Sequence, residues 1–185
     1  MGATNVTAGK PAVSGAIYRA LLSSGLTLPT DATTAMSTLT DFKSLGYVSD
    51  AGLTNSNSPE ASNIKAWGGD TVLSIQTAKE DSFSFTLLET LDAEVLKAVY
   101  GSGNVAVESS TGAITITANS DEQEEAAWVI DMAVRGGKKK RIVIPNAKIT
   151  SVGDIAYADE SAVGYELTIT AIPDATGNTH YEYIA

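Results

Sequence analysis

The hydrophobic pattern changes period within one short segment, EDSFSFTLLETLDAEVLKAVYG, residues 80–101. In its SFSFTL stretch, apolar side chains alternate with small hydroxyl side chains, which predicts a strand with one buried face. Shortly afterwards the apolar positions recur at helical spacing, and Asp92 is placed to cap the free N–H groups of a first helical turn. Gly101 suits the left-handed stop of that helix. The segment therefore predicts one strand and one helix laid together.

Most of the remaining chain has the pattern of short strands separated by turns. Gly68 and Gly69 mark a bulge or a sharp bend, and a Ser-Ser-Thr-Gly turn predicts a hairpin. One helix among about eight to ten strands predicts a mainly β fold, a β-sandwich or barrel with one flanking α-helix and long loops. The predicted strands cover residues 16–22, 45–48, 71–77, 104–107, 113–117, 126–134, 141–149, 164–172 and 181–184.

Two segments lack a regular apolar pattern. Residues 50–63, DAGLTNSNSPEASN, contain only one large apolar side chain, Leu53, and predict a long exposed loop that makes a functional contact or is locally disordered. Residues 1–14 are mostly small and predict a flexible N-terminal arm. The 185 residues suit a single domain, residues 1–185, and 43% hydrophobic residues can fill its core.

Composition restricts the function classes. The chain has 22 acidic and 12 basic residues, a net charge of −10, which disfavours ordinary nucleic-acid binding. That charge serves either solubility or a surface that must repel a polyanion. Cysteine is absent, which excludes disulfides, thiol catalysis and thiolate metal sites. No long apolar run or signal peptide is present, so we expect a soluble protein made in the cytoplasm, without a membrane partner.

The residues of catalysis are almost missing. His180 is the only histidine, so a multi-histidine metal site is impossible, and we expect this side chain to have a surface or packing role. Residues 174–178 place oxygen side chains near a glycine but lack the ligand register of a calcium loop, which favours a hairpin turn. No acid–base pair can be named. The sequence predicts no catalytic residues, no cofactor and no metal.

Two charged runs of opposite sign lie close together in sequence, at residues 121–125 and 138–141. Three interpretations remain open. The runs can be solvated turns, the basic one can be a nucleic-acid patch, or an acidic turn on one subunit can face a basic turn on the next. The residues concerned in the third interpretation are Glu122, Glu124, Lys138, Lys139 and Lys140.

Four segments resemble a known family: IKAWGGDTV at 64–72, DSFSFTLLETLDAEVLKAVYGSGNV at 81–105, RIVIPNAKITSVGDIAY at 141–157, and GYELTIT with DATGNTHYEYI at 164–184. They look like the major tail protein, or tail tube protein, of long-tailed bacteriophages that infect Gram-positive bacteria. The resemblance implies a β-sandwich with a flanking helix that forms six-fold rings stacked into a tube. Such a tube connects the capsid to the tail tip and conducts DNA, and the resemblance favours a flexible, non-contractile tail.

The resemblance also implies partners and site residues. The partners would be further copies of the chain, the tape measure, tail terminator and tail tip proteins, and DNA that passes through an acid-lined lumen without specific binding. The protein would lie in the virion tail, after assembly in the host cytoplasm. In such a subunit the helix closes a face of the sandwich, so that Phe83, Phe85 and Leu87 meet Leu91, Val95, Leu96 and Val99. The inter-subunit candidates, besides the charged residues above, are Leu53, Asn55, Asn57, Trp67 and Asp70.

Three functions from different classes stay open. The first is the self-assembling, non-catalytic tube protein, in which Trp67 is either an inter-subunit anchor or a core residue. The second is a carbohydrate- or cell-surface-binding β-sandwich of a tail tip or adhesin, with Trp67 and Tyr47 as stacking platform. The third is a small β-sandwich hydrolase, which requires an acidic site that the sequence does not locate, and which loss of activity on replacing His180 would support.

Overall fold

The protein is mainly β, as predicted, with 47% of the described residues in strands and 10% in helices. A computed structural model describes residues 5–12 and 16–185. The helix α1 spans Ala93–Tyr100, and 3-10 turns occupy Met36–Thr38, Ser102–Asn104 and Arg135–Gly137. The strands are β1 Lys10–Pro11, β2 Ile17–Leu21, β3 Lys43–Ser44, β4 Val48–Lys65, β5 Thr71–Leu87, β6 Val105–Val107, β7 Ile114–Ile116, β8 Ala126–Ala133, β9 Lys139–Val152, β10 Tyr165–Ala171 and β11 Tyr181–Ile184.

Nine of the described strands form one antiparallel sheet. Seven of them follow one another in the order β3-β2-β8-β9-β10-β5-β4, and β1 and β11 pair outside this order. The short strand β1 pairs with β8 on the same edge as β2, further along the strand. On β9, the edge opposite β8 is shared by β11 and β10, which pair with different parts of the strand. Strands β6 and β7 form a separate hairpin, as their turn predicted. The strand expected at residues 45–48 is wrong, because β3 ends at Ser44 and β4 begins only at Val48.

The main core lies between α1 and one face of the sheet. Phe83, Phe85 and Leu87 are buried there together with Val95, Leu96 and Val99, which confirms the strand–helix module for these residues. Asp92 caps the helix, since its Oδ1 accepts hydrogen bonds from the backbone N–H groups of Glu94 and Val95 at 2.7 and 3.3 Å. Gly101 ends the helix with a φ of 92°.

Leu91 is a correction to that module, because its side chain is 88% exposed. The helix begins at Ala93, after the cap, so Leu91 precedes the first helical turn. The helical spacing grouped Leu91 with the buried residues, but its backbone is not part of the helix.

A second, smaller core covers only part of the opposite face of the sheet. Side chains of β2, β8 and β9 pack there against Met36 and Phe42 from the turn-rich segment that precedes β4. The same face over β4, β5, β10 and the end of β9 carries no buried cluster, and its side chains there are partly or fully exposed.

The loop predicted at residues 50–63 is wrong, because these residues belong to β4 and pair with β5. Except for the half-buried Leu53, their side chains are exposed on both faces, so no buried side produces the alternation by which a strand is recognised. The free N-terminal arm is also wrong in part. Lys10 and Pro11 pair with Ala133 and Met132, while residues 1–4 and 13–14 of the predicted arm lie outside the described residues.

Candidate assembly surfaces

Strands β4 and β5 form a hairpin that extends well beyond the sheet. β10 pairs with β5 only over residues 82–87, whereas β4 pairs with β5 as far as Lys65 and Thr71. In the described chain, residues 58–80 therefore have strand partners only within the hairpin, and we call them the hairpin arm. At about 3.3 Å per strand residue, the arm projects roughly 30 Å.

A tight bend closes the arm at its tip. The N–H of Ala66 donates to the carbonyl of Asp70 at 2.8 Å, and the N–H of Gly69 donates to the carbonyl of Ala66 at 3.0 Å. Gly68 and Gly69 have φ values of 111° and 99°, which favour glycine and confirm the predicted sharp bend. Trp67 lies in this bend with its side chain 107% exposed, so the expectation that it is a core residue of the subunit is wrong.

Apolar side chains gather on one face near the tip. Ile64 lies directly opposite Leu73, and Ile75 follows two residues along the same face. These three side chains and Val72 are 46% to 62% exposed. A two-stranded hairpin alone is marginally stable in water, and an exposed apolar cluster of this kind marks a protein contact. The arm therefore has the composition of a segment that another protein surface covers.

The root of the arm is fixed by a buried carboxylate, Asp81, which is 1% exposed. Its Oδ1 accepts a hydrogen bond from the Asn55 amide at 2.8 Å, and its Oδ2 accepts from the Thr179 hydroxyl at 2.6 Å and from His180 Nδ1 at 2.5 Å. Burial raises the pKa of Asp81, but the hydrogen bonds from Thr179, Asn55 and His180 outweigh it and leave the pKa below its ordinary value.

His180 thus has the packing role expected of it, because its ring also stands edge-on to Phe83 with the ring centroids 5.4 Å apart. Asn55, an inter-subunit candidate, is used inside the subunit. No sequence signal marked Asp81, because a buried carboxylate within a strand looks like any other acid until its partners are known.

The sheet has two free edges beside its uncovered face. β4 is the last strand of the sheet, so its outer edge has no strand partner among the described residues. β8 begins at Ala126, opposite Ala147, which leaves the same side of β9 without a strand partner over residues 148–152, again within the described part of the chain. Unpaired edges present rows of N–H and C=O groups that can pair with another chain.

A family model described as phage tail tube protein matches residues 3–185. The chain belongs to the phage tail tube protein family. Among solved structures, one chain of an extracellular contractile injection system, a PVC sheath–tube complex in the extended state, is similar over 95% of this chain and 93% of its own length. The two are 8% identical with a TM-score of 0.38. Among curated proteins none matches the sequence.

In this tail tube protein, most members of the two charged runs have partners inside the subunit. Glu124 accepts from Arg19 at 3.0 Å, Glu122 pairs with Lys148, and Lys140 pairs with Glu182 at 2.9 Å. The acidic run lies beside β9, where Glu122 reaches Lys148, and β9 itself begins at Lys139, inside the basic run. The side chains of Lys138 and Lys139 are exposed, and for them inter-subunit pairing stays a prediction.

Arg141 is not available for a nucleic-acid patch. Its guanidinium is 3% exposed and binds both carboxylate oxygens of Asp131, at 2.6 and 2.7 Å. The hydrogen bonds that Arg141 donates to Asp131 raise the pKa of Arg141, against the opposing effect of burial. This pair stabilises the tail tube subunit internally and does not face a partner.

The other inter-subunit candidates divide by position. Leu53 is half-buried against the main core, where it pairs with Phe85, so its side chain is already used. Asp70 is exposed on the arm and Asn57 is exposed just before it, and both stay candidates. Tyr47 and Trp67 lie at opposite ends of the 18-residue strand β4, too far apart to form one stacking platform, so the structure removes the basis of the carbohydrate-binding alternative.

Among the described residues, no helix is long and apolar enough to cross a membrane. Membership of a tail tube family is consistent with the expected structural, non-enzymatic role and with a place in the virion tail.

Proposed function

We propose that this protein forms the tail tube of a long-tailed phage by assembling into hexameric rings that stack, and that DNA is ejected into the host through the resulting channel. Membership of the tail tube family supports the tube, and the hairpin arm is the observation that supports assembly. The resemblance of the four sequence segments supports a Gram-positive host, a non-contractile tail, and the tape measure, terminator and tail tip proteins as partners after assembly in the host cytoplasm.

Ring closure would use the two free edges. The outer edge of β4 on one subunit would pair with residues 148–152 of β9 on the next, which is a head-to-tail contact between different surfaces. Contacts of this type generate a ring when the rotation between subunits closes. Each pairing satisfies backbone groups that otherwise remain edge groups exposed to water, and it extends the same sheet from subunit to subunit.

Stacking of the rings would use the arm. Its reach of about 30 Å exceeds the spacing of neighbouring strands and sheets several-fold, so it can cross from one ring to the next. The tip then places Trp67 and the apolar cluster around Leu73 against the adjoining ring, where burial would stabilise both the contact and the hairpin itself.

The test compares the full chain with a variant in which residues 58–80 are replaced by Asn-Gly. This turn joins Asn57 to its register partner Asp81, so the hydrogen bonds to Asp81 at the root of the arm are kept. Negative-stain electron microscopy and light scattering over a concentration series should show stacked rings or tubes for the full chain. The variant should remain a folded subunit that does not stack.

The control is Ser109→Ala, which changes an exposed side chain in the turn between β6 and β7, outside the arm, and should assemble into tubes. Tubes of normal length from the shortened variant would rule out the arm as the stacking contact. A full chain that stays monomeric at every concentration would contradict self-assembly.

A further inference from the structure

The uncovered face of the sheet is lined almost entirely by hydroxyl side chains. The register aligns Thr54, Ser84, Thr168 and Ser151 in one row across four strands, and Ser56, Ser82, Thr170 and Lys148 in the next. We call these two rows, with Thr86 and Thr150, the hydroxyl face. The residues between them point the other way and form the main core.

Several of the hydroxyls bind one another. Ser84 and Thr168 lie 2.9 Å apart between their hydroxyl oxygens, and so do Thr150 and Thr170. Lys148 is the only charged residue in the two rows, and Glu122 pairs with it. Glu166, opposite Thr86, adds one acid at the end of the face. The hydroxyl face is therefore polar but close to neutral, in a chain of net charge −10.

This composition does not suit a contact with another protein. Interface cores are enriched in aromatic residues, Met and Arg, and hot spots are poor in Ser and Thr. The apolar side chains of the β4–β5 pair gather instead at the tip of the arm. The hydroxyl face is thus built to stay in water after the subunit has found its partners.

The position of the main core decides which way the face points in a closed ring. Edge-to-edge pairing of β4 with the end of β9 would join these four strands of every subunit into a barrel. On the other side of the same strands lie the core, α1 and the β6–β7 hairpin, which carries Val105 and Ile114 into the core. A barrel interior cannot hold these layers from every subunit, so they must lie outside.

We infer that the hydroxyl face of β4, β5, β9 and β10 lines the channel and presents passing DNA with a hydrated, nearly uncharged wall. The inference rests on the proposed tube. It replaces the acid-lined lumen expected from net charge. Binding to DNA phosphates is driven by cations that release counterions, and this wall offers none unpaired. Each hydroxyl donates and accepts hydrogen bonds, so the wall holds water at the distance at which a phosphate would pass.

Cysteine labelling tests the orientation, because the natural chain has no cysteine. Ser82→Cys places a thiol at the middle of the hydroxyl face, and Ser109→Cys is the matched control in the exposed turn between β6 and β7. Assembled tubes are treated with a small maleimide or with a maleimide on a polyethylene glycol coil much wider than a DNA duplex. We expect Ser109→Cys to react with both and Ser82→Cys with the small reagent alone.

Either of two results would overturn the inference. Reaction of Ser82→Cys with the large reagent places the face on the outside of the tube, and loss of reaction with both reagents places it in a subunit contact. Ser56→Cys repeats the test on β4 if Ser82→Cys does not assemble. Failure of the unsubstituted chain to form tubes would instead contradict the proposed function, so the two failures are distinguishable.

The charge of the wall is tested with Ser82→Lys and Ser82→Glu tubes and a short fluorescent DNA duplex. Tubes with the natural serine or with glutamate should retain no duplex. Tubes with lysine should retain it, and the retained amount should fall by a large factor between about 50 and 200 mM salt, as phosphate contacts do. Salt-sensitive retention by the unsubstituted tubes, or none by the lysine tubes, would contradict a neutral channel wall.

Discussion

Trp67→Ala should weaken assembly strongly while leaving the isolated subunit as stable as before. Trp67 is 107% exposed at the tip of the arm and makes no contribution to either core. Substitution of an exposed side chain away from any special feature changes the free energy of unfolding by about 0.5 kcal/mol or less. Any larger effect on the subunit would mean that the tryptophan packs within it.

The size of the effect on assembly follows from the area that becomes buried. An aromatic side chain buries roughly 150–250 Å², which at about 25 cal/mol per Å² sets a ceiling of about 4–6 kcal/mol. Measured hot spots at interfaces reach roughly 2–4 kcal/mol. Because each 1.4 kcal/mol is tenfold in an equilibrium constant, the critical concentration for assembly should rise about 30- to 700-fold.

The assay measures the critical concentration by light scattering and by pelleting of tubes. Trp67→Phe is the matched control, because it keeps an aromatic ring and should lose much less than Trp67→Ala. The second tryptophan, Trp128, is buried and reports unfolding of the subunit by fluorescence in both variants. An unchanged critical concentration for Trp67→Ala would refute the proposed contact at the tip.

Three further substitutions test contacts within the subunit by urea unfolding. Asp81→Ala should lower the free energy of unfolding by about 1–3 kcal/mol near neutral pH, because it removes the buried acceptor of the hydrogen bonds from Asn55, Thr179 and His180. The pKa of Asp81 is lowered on folding, so its contribution is complete above the unfolded pKa of about 3.9 and is lost as the pH falls below it. The difference between the natural chain and Asp81→Ala should therefore shrink near pH 3, and a constant difference would argue against the carboxylate. Arg141→Ala should cost about 3–5 kcal/mol, whereas Lys138→Ala should cost about 0.5 kcal/mol or less; equal losses would contradict the buried pair. Asp92→Ala should lower the free energy of unfolding by about 1 kcal/mol, because it removes the helix cap. An unchanged urea midpoint would contradict a stabilising role of the cap.

The parts of the fold that could be predicted are those with one buried face. The alternation around Phe83 and Phe85 and the cap at Asp92 describe local rules, and the structure follows them. The hairpin of β6 and β7 was predictable for the same reason, because its turn residues are short-range signals. Leu91 shows the limit of such rules, since two residues before the helix start the periodic pattern no longer describes the backbone.

The assembly surfaces were hidden because they have no buried face in the single subunit. β4 has polar side chains on both sides over residues 54–63, so its sequence has the composition of a loop although β5 holds it in a regular ladder. The hydroxyl face had a signal in the alternating serines and threonines of β5 and β10. Sequence alone indicates only that these side chains are solvent-facing, and the strand order is needed to align them across the sheet.

Pro59 divides β4 into two parts with different uses. A proline within a sheet is confined to an edge strand, because it has no N–H to donate to a neighbouring strand. β4 is the edge strand and pairs Pro59 with Lys79 on its inner side, so the missing donor belongs to the outer edge. A strand added from a neighbouring subunit can therefore pair regularly with residues 53–58, after the register shift that follows Val48, but not continue past Pro59. In the proposed ring, the outer edge of β4 can pair with a neighbouring subunit beside the hydroxyl face but not along the arm. The arm would therefore stay unpaired within its own ring and could cross to the adjoining one.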